Sequence, residues 1–190
     1  SNKGGKMRKL AKKLKDETAE MEDSKVDVRR EDKTIRPFNI PVQDIYGDMV
    51  TIDSVKVILT NEPIIKEKNI VLKRGVRLLV SGPNGIGKST LLRSLVSNKN
   101  EGAKIMEGVK VGYYSQDFST LDFEETVFDS LKNSAVIGTN AQVVRSVAAG
   151  FLLTGELMGQ KVGNLSEGQK GLLSFARLVL MQPGLLVLDE

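Results

Sequence analysis

A glycine-rich turn between a predicted strand and a predicted helix constrains the fold of this chain more than any other feature. The turn is the segment SGPNGIGKST at residues 81–90. An apolar run, Val76–Val80, precedes it, and apolar residues with helical spacing follow it: Leu91, Leu92, Leu95 and Val96. A strand, a glycine-rich turn and a helix in this order are typical of a phosphate-binding P-loop. We therefore predict a buried strand at Val76–Val80 and a helix that opens near Gly87.

The residue types in this turn suit the binding of a nucleoside triphosphate. Three glycines allow the backbone to curl so that successive N–H groups point at one anion, namely Gly82, Gly85 and Gly87. The helix that follows adds the positive end of its dipole. In a P-loop, Lys88 reaches the β- and γ-phosphates and Ser89 places its hydroxyl on Mg²⁺. The competing interpretation is a glycine turn that contains Lys-Ser by chance, and both flanking patterns count against it.

Composition limits the classes of function that need to be considered. The 190 residues are enough for one sizeable core and an extension, and 40% of them are hydrophobic. No apolar run approaches the length of a membrane span. The sequence contains no Cys and no His, which excludes disulfides, thiolate metal sites and His-based catalysis within these residues. Because the chain starts without Met and stops directly after an apolar run, we expect it to be a fragment.

The N-terminal segment is strongly charged. Basic side chains without an acid occupy residues 3–15, and acidic side chains dominate residues 16–23. Apolar residues on a spacing of three to four predict an amphipathic helix, namely Met7, Leu10, Leu14 and Met21. Two interpretations stay open: a solvated helix whose charges serve solubility alone, or an arm that binds RNA phosphates in a salt-dependent manner.

The remaining patterns indicate an α/β fold. Short strands are predicted around Met49–Ile58, Ile64–Ile65, Ile70–Leu72 and Val109–Tyr114, and a buried strand at Leu185–Leu188. Helices are predicted at 124–133, at 140–153 and from the turn at 165–169 to about Met181. Mixed strands followed by helix–strand units predict a layered α/β architecture.

Three further motifs are weak singly. Four apolar residues followed by Asp189-Glu190 form a Walker B pattern, although acids often end strands simply because water begins there. Gln116 follows a predicted strand and on its own suits an ordinary turn. The segment LSEGQ at residues 165–169 suits a helix start with Ser166 as N-cap, or a second phosphate-binding corner made of a hydroxyl, a Gly-exposed backbone and a helix dipole.

The four motifs in this order resemble an ATP-binding cassette, and within that superfamily the ABC-F class. The resemblance implies a P-loop NTPase fold with an antiparallel β subdomain, a parallel-sheet core and a helical subdomain at about 120–165. Residues 1–36 resemble the charged helical linker that joins the two cassettes of ABC-F proteins. Residues 37–190 resemble their C-terminal cassette, truncated after Walker B.

The resemblance also implies roles for individual residues. ATP and Mg²⁺ are the implied cofactors, and two cassettes close head to tail on two ATP molecules. The implied catalytic residues are Glu190, Lys88 and Gln116, and the implied metal ligands are Ser89, Gln116 and Asp189. The implied nucleotide-binding residues are Gly82, Pro83, Asn84, Gly85, Ile86, Gly87, Lys88, Ser89, Thr90, Ser166, Gly168 and Gln169. Ser166 and Gly168 are expected to contact the γ-phosphate bound by the partner cassette.

The expected function is that of a cytoplasmic ATPase that couples closure of two cassettes to engagement of the ribosome or tRNA. The expected partners are a second cassette in the same full-length chain and, through the basic arm, the ribosome or tRNA; neither a membrane nor DNA is expected. We predict that the 190-residue chain alone does not hydrolyse ATP. Two alternatives stay open: the nucleotide-binding subunit of an ABC transporter, and an interaction module that ATP locks without hydrolysis.

The sequence departs from the family pattern at three points. Only aliphatic residues occur at Val57–Leu59, where the family stacks an aromatic ring on adenine, and Tyr46 lies further upstream. Glu167 replaces the usual glycine of the LSGGQ segment. The sequence ends before the D-loop and the switch histidine of the family pattern, and it contains no His. The first departure leaves the preference for ATP over GTP open.

Overall fold

The computed structural model of the chain describes residues 34–59, 62–97 and 102–189. Ile35–Glu190 form one compact unit. The basic arm predicted at residues 3–15 and the amphipathic helix that follows from it lie outside the described residues. The described strands are β1 (Asp48–Leu59), β2 (Glu62–Lys73), β3 (Ala103–Ile105), β4 (Val111–Ser115) and β5 (Leu185–Asp189). The described α-helices are α1 (Lys88–Val96), α2 (Val127–Ser134), α3 (Ala141–Gly150) and α4 (Glu167–Met181), with 3₁₀ turns at Gly155–Gly159 and Val162–Asn164.

An antiparallel sheet in the order β2-β1-β3 forms the first layer. Its core consists of Met49, Val50, Ile52, Leu95 and Ala103, with Leu95 supplied by α1. The prediction of separate short strands at 64–65 and 70–72 is wrong, because both belong to β2, which pairs with β1 on either side of a register shift opposite Ile52–Ser54. The short strand β3 was not predicted; three residues are too few to show a period in the sequence.

A parallel pair, β4 and β5, forms the second sheet. Its two faces differ, because successive side chains of a strand point to opposite sides. Tyr113 and Asp189 share the face that carries Ser89 of α1, whereas Gly112 and Tyr114 face α4. A Cβ atom at Gly112 would lie 2.7 Å from Cδ2 of Leu178, so glycine is required where α4 approaches the strand.

The prediction of a buried strand at Val76–Val80 is wrong. These residues follow a turn at Arg74–Gly75 and adopt no strand pairing, and Leu79 is 89% exposed. An apolar run becomes a buried strand only where neighbouring strands accept its backbone hydrogen bonds. Among the described residues β5 pairs with β4 alone, and Leu188 on β5 is 54% exposed. The strand predicted at Leu185–Leu188 is therefore confirmed, but its full burial is not.

The helical region packs around a second apolar core that α2, α3 and α4 share. The helices predicted at 124–133 and 140–153 are confirmed with shifted ends. Thr126 caps α2 by accepting a hydrogen bond from the N–H of Asp129, and Asn140 caps α3 by accepting one from Val143. These caps fix the starts of both helices later than the apolar spacing alone indicated.

Arg177 on α4 joins three parts of the helical region. Its Nε donates to Oγ of Ser134 at the end of α2 over 2.6 Å, and its Nη1 donates to the carbonyl of Thr120 over 2.6 Å. Burial lowers the pKa of Arg177 from its usual value. An arginine guanidinium keeps its charge in proteins. The side chain therefore acts as a charged brace between α4, α2 and the loop before α2.

A segment without regular secondary structure at residues 35–46, here called the strap, packs against the rest of the compact unit. Near its start, the N–H of Arg36 donates to the carbonyl of Gly150 over 3.4 Å, and the Phe38 ring lies 4.7 Å from that of Phe151. Near its end, the side chain of Gln43 donates to the carbonyl of Gly108 over 2.8 Å and accepts from the N–H of Lys110 over 2.8 Å. The strap therefore connects the end of α3 with the entrance to β4.

Candidate nucleotide site

The glycine-rich loop lies between the Gly75 turn and α1, and two of its glycines adopt left-handed backbone conformations. Gly85 and Gly87 adopt left-handed conformations with φ of 81° and 104°, which a residue with a Cβ atom rarely adopts. Gly87 is the N-cap of α1, as predicted. The loop also contacts β1, because the N–H of Ile58 donates to the carbonyl of Ile86 over 3.0 Å. The end of β1 therefore lies beside the loop. This end contains Val57–Leu59, the aliphatic residues at the position where the family has an adenine-stacking aromatic ring.

Lys88 folds back over the start of the loop. Its Nζ donates to the carbonyls of Gly82 and Pro83 over 2.8 and 3.0 Å. Ammonium groups carry three donors and no acceptor, so the same side chain can exchange these carbonyls for phosphate oxygens. The lysine therefore contacts Gly82 and Pro83, two of the residues that are predicted to bind the nucleotide.

Asp189 brings the end of β5 to the start of α1. It is 7% exposed, and its Oδ1 accepts a hydrogen bond from Oγ of Ser89 over 2.8 Å. Ser89 and Asp189 are 100 residues apart in sequence. The structure therefore joins the two motifs that the sequence predicted to share a metal ion. Glu190, the predicted hydrolytic carboxylate, lies outside the described residues.

Gln116 lines the same cleft, directly after the end of β4. The cleft has a volume of about 350 Å³, and its lining residues are Ser89, Arg93, Gln116, Asp117 and Asp189. Three predicted residues, Ser89, Gln116 and Asp189, therefore meet at one place. Arg93 and Asp117 were not predicted, and they face each other with Nη2 and Oδ2 3.1 Å apart.

Asp117 is held as an anion by its surroundings. Hydrogen bonds from Ser119 and Ser115 and the charge of Arg93 lower the pKa of Asp117 to about 2, with Ser119 contributing most. The hydrogen bond with Tyr113 raises the pKa of Arg93, and the charge of Asp117 acts in the same direction. The first residue after Gln116 therefore forms an ion pair with α1 across the mouth of the cleft.

Tyr113 is a further polar residue at the site that sequence reasoning missed. Its hydroxyl donates to Oδ2 of Asp189 over 2.9 Å. Burial raises the pKa of Tyr113, the contact with Asp189 acts in the same direction, and the contact with Arg93 opposes both. The alternation of side chains along a strand could have indicated that Tyr113 and Tyr114 face opposite sides, but not which of them faces the P-loop.

The residues at the cleft fit a magnesium ion that arrives with a nucleotide. Among the described residues no three His, Cys, Asp or Glu side chains come together as a metal-binding group. Mg²⁺ on a nucleotide does not need such a group, because one or two carboxylates, a hydroxyl and the phosphates complete its shell. Asp189, Ser89 and Gln116 offer hard oxygen ligands of this kind. The donor set therefore suits Mg²⁺ and not a soft metal.

The LSEGQ segment forms the start of α4. Ser166 is the N-cap, its Oγ accepts from the N–H of Gln169 over 3.3 Å, and Oε1 of Gln169 accepts from the N–H of Ser166 over 2.9 Å. Glu167 and Gly168 are exposed in the first turn. A carboxylate there interacts favourably with the positive end of the helix dipole, which is a local reason for Glu167. None of these residues lines the cleft described above.

Comparison with known proteins identifies the family. Residues 65–190 match the family described as "ABC transporter". The chain belongs to this family. None of the helices in the described part of the chain is both long and apolar enough to span a bilayer.

The relatives of this chain include proteins named as ATP-binding proteins and proteins named as elongation factors. The chain is 36% identical over 135 residues to the probable ATP-binding protein YbiT of Escherichia coli O157:H7, covering 68% of this chain and 25% of YbiT. It is 35% identical over 128 residues to elongation factor 3 of Pneumocystis carinii, covering 67% of this chain and 12% of that protein. These relatives are ABC-F proteins, which confirms the predicted resemblance to that class. The chain thus spans a quarter of YbiT and a smaller share of the elongation factor.

Solved structures confirm the predicted fold class. A chain from the structure of ribosome-bound archaeal Pelota and ABCE1 matches with a TM-score of 0.53 at 20% identity, over 82% of this chain and 27% of that chain. A chain from the complex of archaeal ribosomal stalk protein aP1 with the recycling factor aABCE1 matches with a TM-score of 0.51 at 19% identity, over 88% and 38% respectively. At these identities the match establishes the fold alone.

Proposed function

We propose that this cassette binds Mg²⁺–ATP at the cleft between the P-loop and β5, and hydrolyses it when paired with a second cassette. The observation that carries the proposal is the hydrogen bond between Ser89 and Asp189, with Gln116 at the same cleft. A hydroxyl and a carboxylate at this distance, at the N-terminus of a helix that follows a glycine loop, match the needs of a metal–triphosphate group.

The P-loop residues bind and orient the triphosphate in this proposal. The N–H groups between Gly82 and Thr90 surround the β-phosphate, and Lys88 leaves the carbonyls of Gly82 and Pro83 for the phosphate oxygens. Ser89, Asp189 and Gln116 hold Mg²⁺, which when bound neutralises phosphate charge. Most of the catalytic effect comes from this positioning and from electrostatics.

Hydrolysis needs a group that orients the attacking water. Glu190 follows Asp189 directly in the sequence, and we assign it this role. Gln116 lines the cleft together with Ser89 and Asp189, and we assign it the role of sensing the metal and the γ-phosphate. In this proposal Lys88 neutralises phosphate charge, Glu190 orients the attacking water, and Gln116 senses the metal and the γ-phosphate.

The LSEGQ corner serves the nucleotide of the partner cassette in this proposal. Ser166 and Gly168 are exposed at the N-terminus of α4, away from the residues that line the cleft of their own cassette. Gln169 holds Ser166 in its capping arrangement, so the corner is formed before a partner arrives. Two cassettes would then complete two sites, each with one P-loop and one such corner.

We further propose a cytoplasmic role at the ribosome, with residues 1–36 as the linker arm and 37–190 as the cassette. The basic side chains at residues 3–15 suit RNA phosphates. Two observations on other proteins support this choice: a relative is named elongation factor 3, and ABCE1 of similar fold is ribosome-bound.

Steady-state ATP turnover tests the enzymatic part. The full-length protein is expected to hydrolyse ATP, and Lys88→Ala and Glu190→Gln are each expected to lower the turnover that depends on this cassette by 100-fold or more, roughly the share expected of a charge-stabilising or water-positioning group. Glu190→Gln should still bind ATP, whereas Lys88→Ala should not. Turnover that is unchanged in both variants would refute the assignment of this site.

Sedimentation through sucrose tests the ribosomal part. The Glu190→Gln protein should migrate with ribosomes when ATP is present and leave them at high salt. Replacing Lys9, Lys12 and Lys13 by Glu should weaken co-migration. A matched control replaces three exposed lysines of the cassette sheet by Glu, namely Lys66, Lys68 and Lys104, and should keep it. Equal loss in both variants, or absence from ribosomes under every condition, would refute the role of the arm.

A further inference from the structure

The carboxylate of Asp189 accepts a hydrogen bond from a hydroxyl group on each of its two oxygens. Oδ1 accepts from Ser89 on α1 over 2.8 Å, and Oδ2 accepts from Tyr113 on β4 over 2.9 Å. A carboxylate only accepts hydrogen bonds, so both hydroxyls donate. With Asp189 7% exposed, rotation of the carboxylate would break both bonds, and water could replace them only in part.

Arg93 lies next to the Tyr113 hydroxyl and is a hydrogen-bond donor only. Its guanidinium interacts with the Tyr113 hydroxyl and forms an ion pair with Asp117 at 3.1 Å. A guanidinium beside a phenol oxygen can only donate to it, which leaves the phenol proton for Asp189. Arg93, Tyr113 and Asp189 would then form a chain of hydrogen bonds that runs from a charged donor to a charged acceptor, an arrangement in which the bonds strengthen one another.

We propose that Tyr113 is a positioning residue that sets the orientation of Asp189 for Mg²⁺–nucleotide, and that Arg93 positions Tyr113. The proposal rests on the nucleotide-binding function proposed above. Ser89 is expected to turn its oxygen towards the metal while it donates to Oδ1, so that only Tyr113 continues to fix Oδ2. The consequence is that the affinity for Mg²⁺, and not the affinity for the triphosphate itself, depends on the Tyr113 hydroxyl.

The neighbouring tyrosine offers a matched control. Tyr114 lies on the opposite face of β4, where its ring stacks on Phe175 of α4 at 4.9 Å between centroids. Tyr113→Phe and Tyr114→Phe remove the same atom from adjacent residues of one strand. A general effect of losing a hydroxyl in β4 would appear in both variants, whereas a positioning effect on Asp189 would appear in Tyr113→Phe alone.

The experiment measures binding of a fluorescent ATP analogue to the full-length protein, first in EDTA and then along a titration with MgCl₂. The signal that Lys88→Ala removes defines the contribution of this cassette. Tyr113→Phe should raise the Mg²⁺ concentration at half-saturation by about tenfold, as expected for loss of one hydrogen bond to a charged group. Binding in EDTA should stay within about twofold of wild type, and Tyr114→Phe should match wild type in both measurements.

A second variant keeps the proposal testable if Tyr113→Phe folds poorly. Arg93→Gln changes an exposed side chain and should raise the half-saturating Mg²⁺ concentration by about threefold, a smaller effect because it acts through Tyr113. Quenching of the analogue by Mn²⁺ provides an independent readout of the metal and should shift in the same order. Circular dichroism establishes that each variant is folded.

The outcomes separate the inference from the function on which it rests. If wild type and Lys88→Ala bind the analogue equally at every Mg²⁺ concentration, both the nucleotide site and the role of Tyr113 are refuted. If wild type binds and Tyr113→Phe shows an unchanged Mg²⁺ dependence, only the role of Tyr113 is refuted. That role is refuted as well if Tyr113→Phe loses binding in EDTA as strongly as in Mg²⁺, since that pattern indicates a purely structural contribution.

Discussion

Arg177 holds the helical region together through two charge-assisted hydrogen bonds, and its replacement by Met should be costly. The bonds to Ser134 and to the carbonyl of Thr120 are both 2.6 Å long. Hydrogen bonds to charged groups contribute about 1.5–3 kcal/mol each. Because Arg177 is only partly buried, we take the lower end of this range, and Met retains much of the apolar contact. The expected loss in the free energy of unfolding is therefore about 3 kcal/mol.

Urea denaturation followed by far-UV circular dichroism measures this loss, and hydrogen exchange of the α4 amides places it in the structure. The matched control is Arg145→Met, since Arg145 is exposed and lies 4.8 Å from the centroid of the Phe128 ring in a cation–π interaction. That variant should lose about 0.5 kcal/mol. Arg177→Lys, which keeps the charge but cannot span both acceptors, should fall between the two. A loss below about 1 kcal/mol for Arg177→Met would refute the idea of a brace.

Three further perturbations test other parts of the structure. Phe38→Ala should lower the free energy of unfolding by about 2 kcal/mol, less than for a buried ring because Phe38 is half exposed beside Phe151. Urea denaturation measures this loss, and a loss near zero would contradict the packing of the strap. Asn140→Ala should cost about 1 kcal/mol, and hydrogen exchange in the first turn of α3 should then accelerate by about fivefold; unchanged exchange would rule out a stabilising cap. The pKa of Asp117 is about 2, below its ordinary value of 3.8, so its stabilising contribution is complete above pH 4 and is lost as the pH falls through about 2. In a carboxyl titration by NMR, Ser119→Ala should raise the pKa of Asp117, and an unchanged pKa would contradict the assigned cause.

The parts of the site that sequence reasoning predicted are those that local chemistry determines. Left-handed backbone at Gly85 and Gly87 follows from the residue type, and the start of α1 follows from the glycine that precedes it. Asp189 was placed correctly because an acid at the end of a parallel strand points into the edge where the P-loop lies. In each case a few adjacent residues carried the information.

Features that depend on distant partners could not be predicted in the same way. Val76–Val80 has the composition of a buried strand, but burial requires strands on both sides, and composition does not reveal whether they are present. Tyr113 and Arg93 have no motif, and their roles depend on which face of β4 meets α1. The residues 64–65 and 70–72 belong to one strand because pairing with β1 resumes beyond the register shift that lies between them. That continuity depends on the distant partner strand, so the residues of β2 alone do not reveal it.

The strap is attached to both α4 and α3, so a shift of one helix would affect the position of the strap. The Phe38 and Phe175 ring centroids lie 5.9 Å apart, and Phe175 stacks on Tyr114. Three aromatic rings therefore link the strap to α4, the helix that begins at the LSEGQ segment, and to β4. Arg36 is tied to the end of α3 only two residues earlier. At about 3.5 Å per residue, the backbone between these two attachments spans only about 7 Å and leaves little slack. Two residues of backbone cannot lengthen enough to accommodate a shift of α4, even one of about 1 Å. Such a shift would therefore also displace the start of the strap.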